Sequence, residues 1–548
     1  MRIKTGGRLK STTAVEQIFE YHKKSKHSLD KYADGPEFLD WDLQPHPYRY
    51  FEGSKRIPLT LDLSDINASY ESLYNDKNDS LESKPLNVDS IGVLLGLSFG
   101  LSAHKEYMGD RWSLRCNPSS GNLHPTEAYL VSSDIEGLDN GIYHYLSENH
   151  SLQQRMETNE SLHNPSLVIG LSSIHWREAW KYGERAFRYC QLDIGHAISA
   201  IAYAASCLGW NINIHDDYSE KEIATLCGLD RTDDYINVES EHPDLLVSVI
   251  PCQQKDSSLK KSELLAYSQK GTWSGKANLL DKHPMYRWPV IEQASQATEI
   301  TTNDKCEQAL INLPELKSSK NSILAKHAIY GRRSAQAFDK QTNISRLEFY
   351  SILDKCLVRN NKLPWLAINY PFPMFTLFYV HRVSSLTPGL YLLANTLEEI
   401  GIIKSIVTKD FIWSKAANCP EHIPFYLLSN KSMENFSKTV SCHQAIASNG
   451  VFSASIITQF KIPISQHPMN YRKLHWQAGA LGHLLYLEAE NLGLRGTGIG
   501  CFFDDAITSS LGIENNDYQV IYNFTLGAAL NDPRISTLPA YDHLDLKL

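Results

Sequence analysis

The chain is 548 residues long, 42% hydrophobic and 21% charged, with a formal net charge of −9 and a mean hydropathy of −0.33. That length predicts two domains of ordinary size joined by a linker, and the composition is that of a soluble globular protein. The acidic balance, with no Lys/Arg run to offset it, excludes a general nucleic-acid binder.

Residues 14–24 read as a short amphipathic helix, followed by a polar run at 24–28. Upstream of them no apolar stretch suggests a secretory signal. Residues 35–60 are rich in proline and aromatics, among them Trp41, Pro45, Tyr48 and Phe51. They read as an irregular arm laid over another surface. A short apolar helix is expected at 91–102. The stretch 115–127 then gathers Pro118, Ser119, Ser120, Asn122 and His124 ahead of a strand at 128–132. Its hydroxyls and amides suit the edge of a polar ligand; the plainer reading is a loop that caps the next element. Further strands are expected at 141–145, 167–171 and 245–250. Between the last two, Lys181 and Tyr182 stand in an aromatic setting just before a long helical run, although a lysine beside a tyrosine is ordinarily a solvated group.

Within that helical run, 187–210, the part 192–210 is the most apolar long run of the chain, but it contains Asp193 and His196, so it reads as a buried helix and not a membrane span. It has a copy. Arg188 aligns with Arg472, an offset of 472 − 188 = 284, and the same offset pairs Gly195 with Gly479, Ala205 with Ala489 and Gly209 with Gly493. The second copy, 471–505, carries Gly479 and Gly482 three apart, where small side chains admit another helix. It ends in Gly493, Gly496, Gly498 and Gly500, a bare backbone suited to lie against something flat or charged. In the first copy Asn211, Ile212, Asn213 and Ile214 take the place of those glycines. The repeat predicts a duplicated domain, each copy built around one long buried helix.

The polar residues 253–275 read as a linker between a first domain, 1–252, and a second, 276–548, with a second arm at 278–289. Arg332, Arg333 and Ser334 offer a phosphate grip through guanidinium forks and a hydroxyl; the plainer reading is a solvated basic turn. Strands are expected at 375–383, 389–393 (the counterpart of 141–145) and 520–526. A helix is expected from 441, where Cys442 and His443 are adjacent but point apart, which does not suit a nucleophile pair. The ten cysteines show no C-x-x-C spacing and read as reduced core thiols of a cytoplasmic protein. The absence of H-x-x-x-H, H-E-x-x-H and Cys/His quartets predicts no metal; neither a P-loop nor a G-x-S-x-G is present.

Three motifs in this order resemble the nitroreductase-like flavoproteins in tandem form, and within them the SagB-type branch of azoline (thiazoline) dehydrogenases. Residues 332–338 resemble the family's opening R-x-S-x-[RK]-x-F. Residues 118–125 resemble its flavin loop P-S-S-x-N-x-Q-P. Gly496 to Gly500, with Gly527 and Arg534, resemble its C-terminal half. The resemblance implies an α+β fold of two nitroreductase-like domains. Each has a central, mostly antiparallel sheet flanked by helices, and the two form a covalent pseudo-dimer with FMN between them.

On this sequence Arg332, Ser334 and Arg534 would hold the FMN phosphate and ribityl chain. Gly498, Ile499 and Gly500 would lie along the isoalloxazine, and Pro118, Ser119, Ser120 and Asn122 would approach from the other half. Gln336 departs from the pattern, where a basic residue is usual, which shifts the phosphate towards Arg333 or Arg534. His124 replaces the family's glutamine. Lys181 and Tyr182 match the branch's Lys-Tyr pair, Lys181 as base and Tyr182 as proton donor or orienting group. A lysine serves as base only where burial or a nearby cation lowers its pKa from about 10.4 towards neutral.

The loop lies in copy one, and the arm and glycine tail lie in copy two. One composite FMN site and one degenerate site are therefore expected, the degenerate one keeping only 24–28 as an arm and 369–373 as a loop. The implied function is an FMN-dependent dehydrogenase or oxidase of azoline-like or other C–N and C–S heterocycles in a modified peptide or small natural product. Partner enzymes of a biosynthetic pathway would accompany it; neither nucleic acid nor membrane is expected as a partner. Two other readings stand beside it: an NAD(P)H-dependent nitro or quinone reductase, and a flavin-free scaffold that docks a biosynthetic partner through its arms. Retention of Arg332, Ser334, Asn122 and the glycine tail favours an active site.

Overall fold

The computed structural model describes residues 13–75, 82–251, 259–301, 313–316, 322–359, 361–368 and 372–544. The N-terminal residues read for a signal, the start of the expected linker and residues 369–371 of the expected second loop lie outside them. Two helices of 22 residues, Ala186–Cys207 and Asn470–Asn491, cross at the centre of the molecule, and their ends are 284 residues apart, as the repeat predicts. Both helices are buried along nearly their whole length, so apolar residues fall on every face and the charged ones among them, such as Arg188 and Arg472, are paired. At the crossing a Cβ on Gly195 would stand 2.2 Å from the Trp476 carbonyl oxygen, and a Cβ on Gly479 would stand 2.2 Å from that of Leu192. The contact is thus reciprocal, as a pseudo-twofold axis requires.

Charged pairs repeat that symmetry. Arg188 Nη2 donates to Asp504 at 2.7 Å, and Arg472 Nη2 meets Glu220 at 3.3 Å, each arginine and each acid 284 residues from its counterpart. The helix Ala14–Lys24 and the helix Pro289–Ala297 are also counterparts. Arg188 Nη1 donates to Ser25 O at 3.5 Å, and its counterpart Arg472 donates through Nη2 to Ser295 O at 3.1 Å. Each of these helices lies across the other half's end of the long helices. Residues 24–28 therefore do not approach the cavity as a flavin arm. They sit against Asp504 and Asp505 of the second half.

Each half carries one antiparallel sheet. In the first the order is 272–273, 151–157, 141–146, 126–133, 166–173, 242–251, 210–215; in the second it is 414–415, 425–429, 389–393, 374–380, 452–459, 518–527, 495–499. From 141–146 and 389–393 onward the two orders match strand for strand. The molecule is an α+β pseudo-dimer of two matching units. The expected linker is only partly one. Lys261–Ser268 is a helix and Thr272–Trp273 pairs with Glu157 and Met156 on the edge of the first sheet, because Leu264, Tyr267 and Trp273 have an apolar surface to cover. The chain's end crosses back as well: Ser536–Leu538 pairs with 104–106 of the first half. Cys442 and Cys501 are paired as a disulfide, which corrects the expectation that all thiols are free; the other described cysteines are free and buried. Among the described residues no helix is long and apolar enough to cross a membrane.

Candidate functional site

A cavity of about 890 Å³ lies between the halves, within the ~300–1,000 Å³ range of small-molecule sites. The first half supplies the loop 118–122, Tyr182, Tyr189 and Asp193. The second supplies the arm 331–336, the strand Arg495–Ile499 with Gly500 and Cys501, and residues 529–533 with Ile535. Of the residues singled out in the sequence, Pro118, Ser119, Ser120, Asn122, Tyr182, Arg332, Ser334, Gln336, Gly498, Ile499 and Gly500 all line it.

The loop holds its shape through short polar contacts. Gly121 and Asn122 take left-handed φ of 59° and 61°, the first cheap for glycine and the second tolerated by asparagine. Asn122 Nδ2 donates to Ser113 O at 2.9 Å, and Asn122 Oδ1 lies 2.9 Å from His124 Nε2. His124 is buried, and burial with Arg115, Arg177 and Arg332 nearby drives its pKa far down, so the ring is a neutral brace for the loop. Ser120 N and Oγ donate to Asp193 Oδ1 at 3.1 and 3.2 Å.

The arm is pinned to the glycine strand. Ala335 N donates to Gly496 O at 3.1 Å, and Tyr486 OH bonds both Ser334 Oγ and Gly498 N at 2.8 Å. Gly498 and Gly500 are glycine for a steric reason. A Cβ there would stand 1.8 Å from Tyr522 OH and 2.3 Å from Tyr189 Cε1.

Three cations gather at one end, where Arg495 is paired with Glu490 and Arg333 donates to Ser102 and to the carbonyls of Tyr330 and Arg332. Lys105 and Arg495 line it with Arg333, and burial followed by mutual repulsion lowers Lys105 from its usual pKa and brings Arg333 down to about 10. Neither Lys105 nor Arg495 stands in a motif: Lys105 is brought in beside the returning C-terminal strand, where its Nζ donates to Thr537, and Arg495 opens the glycine strand. Arg332, expected to grip phosphate, spends its fork on backbone instead: Nε and Nη2 donate to Cys116 O and Arg115 O, both at 2.9 Å, under the Tyr486 ring. It clamps the second half to the loop of the first. Arg534 turns outward to Asp532 and lies over Tyr107, outside the cavity. Gln336 lies exposed at the mouth.

Lys181 also falls short of the wall. Its Nζ lies 5.2 Å from the Trp41 ring centre and 5.3 Å from that of Tyr182, and burial lowers its pKa against the opposing pull of Glu178. Tyr182 does reach the cavity, packed edge-on to Tyr189 at 4.7 Å, and burial, with Glu178 beside it, keeps its phenol protonated. The counterpart side of the pseudo-dimer is occupied differently. The strand Trp210–His215 stands where the glycine strand would, beside the turn Trp365–Ala367, and the indoles of Trp210 and Trp365 are both buried there. Elsewhere, His104, Asp542 and His543 bring ligand atoms within 4.8 Å of one another, with Arg111 paired to the same Asp542.

No family model matches the chain. A putative nitroreductase of Methanocaldococcus jannaschii is 26% identical over 140 residues, which are 23% of this chain and 67% of that protein. The trifolitoxin-processing protein TfxB of Rhizobium leguminosarum bv. trifolii is 31% identical over 130 residues, 21% of this chain and 35% of that protein, so the chain spans about a third of that relative's length. A solved structure of a putative nitroreductase from Anabaena variabilis superposes with a TM-score of 0.65 at 22% identity, over 94% of this chain and 99% of that one. Both chains are covered almost end to end, so the tandem arrangement itself is shared, and the fold is nitroreductase-like. The chain thus has the fold of a nitroreductase-like protein in tandem form.

Proposed function

We propose that the chain is an FMN-dependent oxidoreductase that takes one flavin between its halves and oxidises an azoline-like ring, or another C–N or C–S heterocycle, in a modified peptide. The observation that carries this reading is the cavity itself, which joins the loop of one half to the arm and glycine strand of the other. The residues fit such a cofactor. Lys105, Arg333 and Arg495 form a cationic end whose repulsion a phosphate would relieve, with Ser334 beside it as a further donor. The bare strand at Gly498 to Gly500 gives a flat wall to an aromatic ring system. A bound flavin supplies the hydride acceptor; the protein supplies orientation and proton handling.

In this reading Tyr182 donates a hydrogen bond into the cavity, and Lys181 acts through Tyr182 and not on the substrate. The likeness to the trifolitoxin-processing protein supports a peptide substrate and partner enzymes of a peptide-modifying pathway. The name of the Methanocaldococcus relative favours a second reading, a nitro or quinone reductase fed by NAD(P)H. The two part on whether NADPH or a heterocyclic peptide bleaches the bound flavin.

The first test is the absorption spectrum of the purified protein, with released FMN measured against chain concentration. One FMN per chain is expected. Two equivalent flavins would refute the composite site, and none after reconstitution would leave the scaffold reading in its place.

A further inference from the structure

Asp193 is a carboxylate set into the first long helix, 1% exposed, on the wall of the cavity. Its evident duty is to hold the loop, through Ser120 N and Oγ. The duplication shows what that duty needs. The residue 284 positions on is Gln477, and it holds the second half's loop in the same manner: its Oε1 accepts from Phe372 N at 2.9 Å and its Nε2 donates to Phe372 O at 3.1 Å. A neutral amide suffices where two tryptophans occupy the space. A carboxylate, costly to bury without a cation, stands where the cavity is open. Among the described residues no lysine or arginine pairs with it.

We propose that Asp193 is the proton acceptor of this cavity. Resting on the flavin reading, the step is as follows. A bound flavin would supply the oxidant: the heterocycle would lose a hydride to it and a ring proton to Asp193 Oδ, and would gain one double bond. The carboxylate becomes a carboxylic acid, and the proton then returns to solvent. Lys181 cannot fill this role from behind Tyr182.

The surroundings tune the group for it. Burial raises the Asp193 carboxyl to about 7 against the opposing hydrogen bonds of Ser119 and Ser120, so it holds or releases a proton near neutrality. Glu178, from the preceding helix, is buried and raised far above its usual range by burial and by Asp193, so it faces Asp193 as a neutral acid. Tyr182 from that helix, Cys190 on the same helix as Asp193 and Tyr522 from the second sheet feel its charge and are all raised by burial, hence neutral.

The test is Asp193→Asn, whose amide oxygen can still accept from Ser120. In the FMN-loaded protein, the bound-flavin absorption band of the wild type is expected to shift with a midpoint near pH 7, and the variant to keep its FMN but lose that titration. With a thiazoline-bearing peptide as probe, flavin bleaching at pH 8 is expected to slow at least ~100-fold, the lower end for general-base catalysis. Asp193→Glu should recover part of both. Unchanged bleaching, or an FMN-loaded variant that keeps the pH titration, would overturn the proposal in favour of a loop staple.

A second measurement needs no cofactor. Asp193 has a raised folded-state pKa, so its stabilising effect is full below about 3.8 and is lost as pH rises through about 7. The apoprotein should therefore lose stability relative to Asp193→Asn across that window. A flat difference would refute the ionisation on which the step depends, whereas absence of flavin refutes only the cofactor reading.

Discussion

Gly195→Ala puts a single methyl group at the point where the two halves touch. Its Cβ would meet Trp476 O at 2.2 Å, Trp476 Cα at 2.8 Å and Gly479 Cα at 2.9 Å, all of them backbone atoms that cannot rotate away. Ordinary contact begins near 3.4 Å, so the helices must part by about 1 Å. Overpacking of this kind costs about 1–3 kcal/mol, while replacing glycine by alanine inside a helix returns about 1 kcal/mol. The expected outcome is a net loss of up to about 2 kcal/mol, read as a lower midpoint in urea with an unchanged slope. Gly401→Ala is the control. It also lies in a helix, but nothing stands within 4 Å of its Cβ, so only the gain in propensity remains and the protein should become slightly more stable. Gly479→Ala should match Gly195→Ala by symmetry. The double variant should cost less than the sum, because one separation of the helices admits both methyl groups. If Gly195→Ala stabilises as Gly401→Ala does, the crossing is not a backbone contact and the symmetry argument fails.

Asp504→Asn should cost about 3–5 kcal/mol in urea denaturation at pH 7, since it leaves Arg185 and Arg188 buried without an anion. Burial alone would raise this carboxyl, but the two guanidinium groups outweigh it and hold the pKa below the usual range. The wild type should therefore keep this contribution above the ordinary carboxylate range and lose it as pH falls through the folded-state value; a variant with the same acid profile would refute the pairing. Reduction of Cys442–Cys501, which are 59 residues apart, should lower stability by about 4 kcal/mol on loop entropy, measured as a shift in urea midpoint with and without dithiothreitol. An unchanged midpoint would mean that the pair does not constrain the unfolded chain.

What could be read from the sequence was whatever repeats or sits in a motif. The offset of 284 paired the two long helices, whose observed bounds keep that spacing, and Gly479 was legible as a point where another helix comes close. The loop and the arm, read as two halves of one site, do line one cavity. What escaped was whatever depends on segments far apart in the chain. Lys105 reaches the cavity only because residues 536–538 return across to pair beside it. Arg332 matches its motif but lies against the carbonyls of Arg115 and Cys116, a contact between halves that no local pattern encodes. Arg534 is in sequence reach of the site, yet Asp532 two residues before it gives a nearer partner. Thr272 and Trp273 looked like linker because a two-residue edge strand carries no periodicity.

Asp193 is the instructive omission, because its signal was present. It was noted only as a charge that spoils a membrane span. Set against its repeat partner Gln477, it becomes a question: why one copy keeps a group that ionises and the other a group that cannot. The same comparison separates the halves elsewhere. Where the second copy has glycines under Tyr189 and Tyr522, the first has Asn211 to Ile214 beside two buried indoles. The scaffold pairs Arg188–Asp504 and Arg472–Glu220 remain matched in charge on both sides of the axis, since both copies need them to hold the halves together. Symmetry persists where stability requires it and is broken around the cavity. In a duplicated chain, therefore, the positions at which aligned residues differ in ionisation state, and not those that agree, mark out the chemistry.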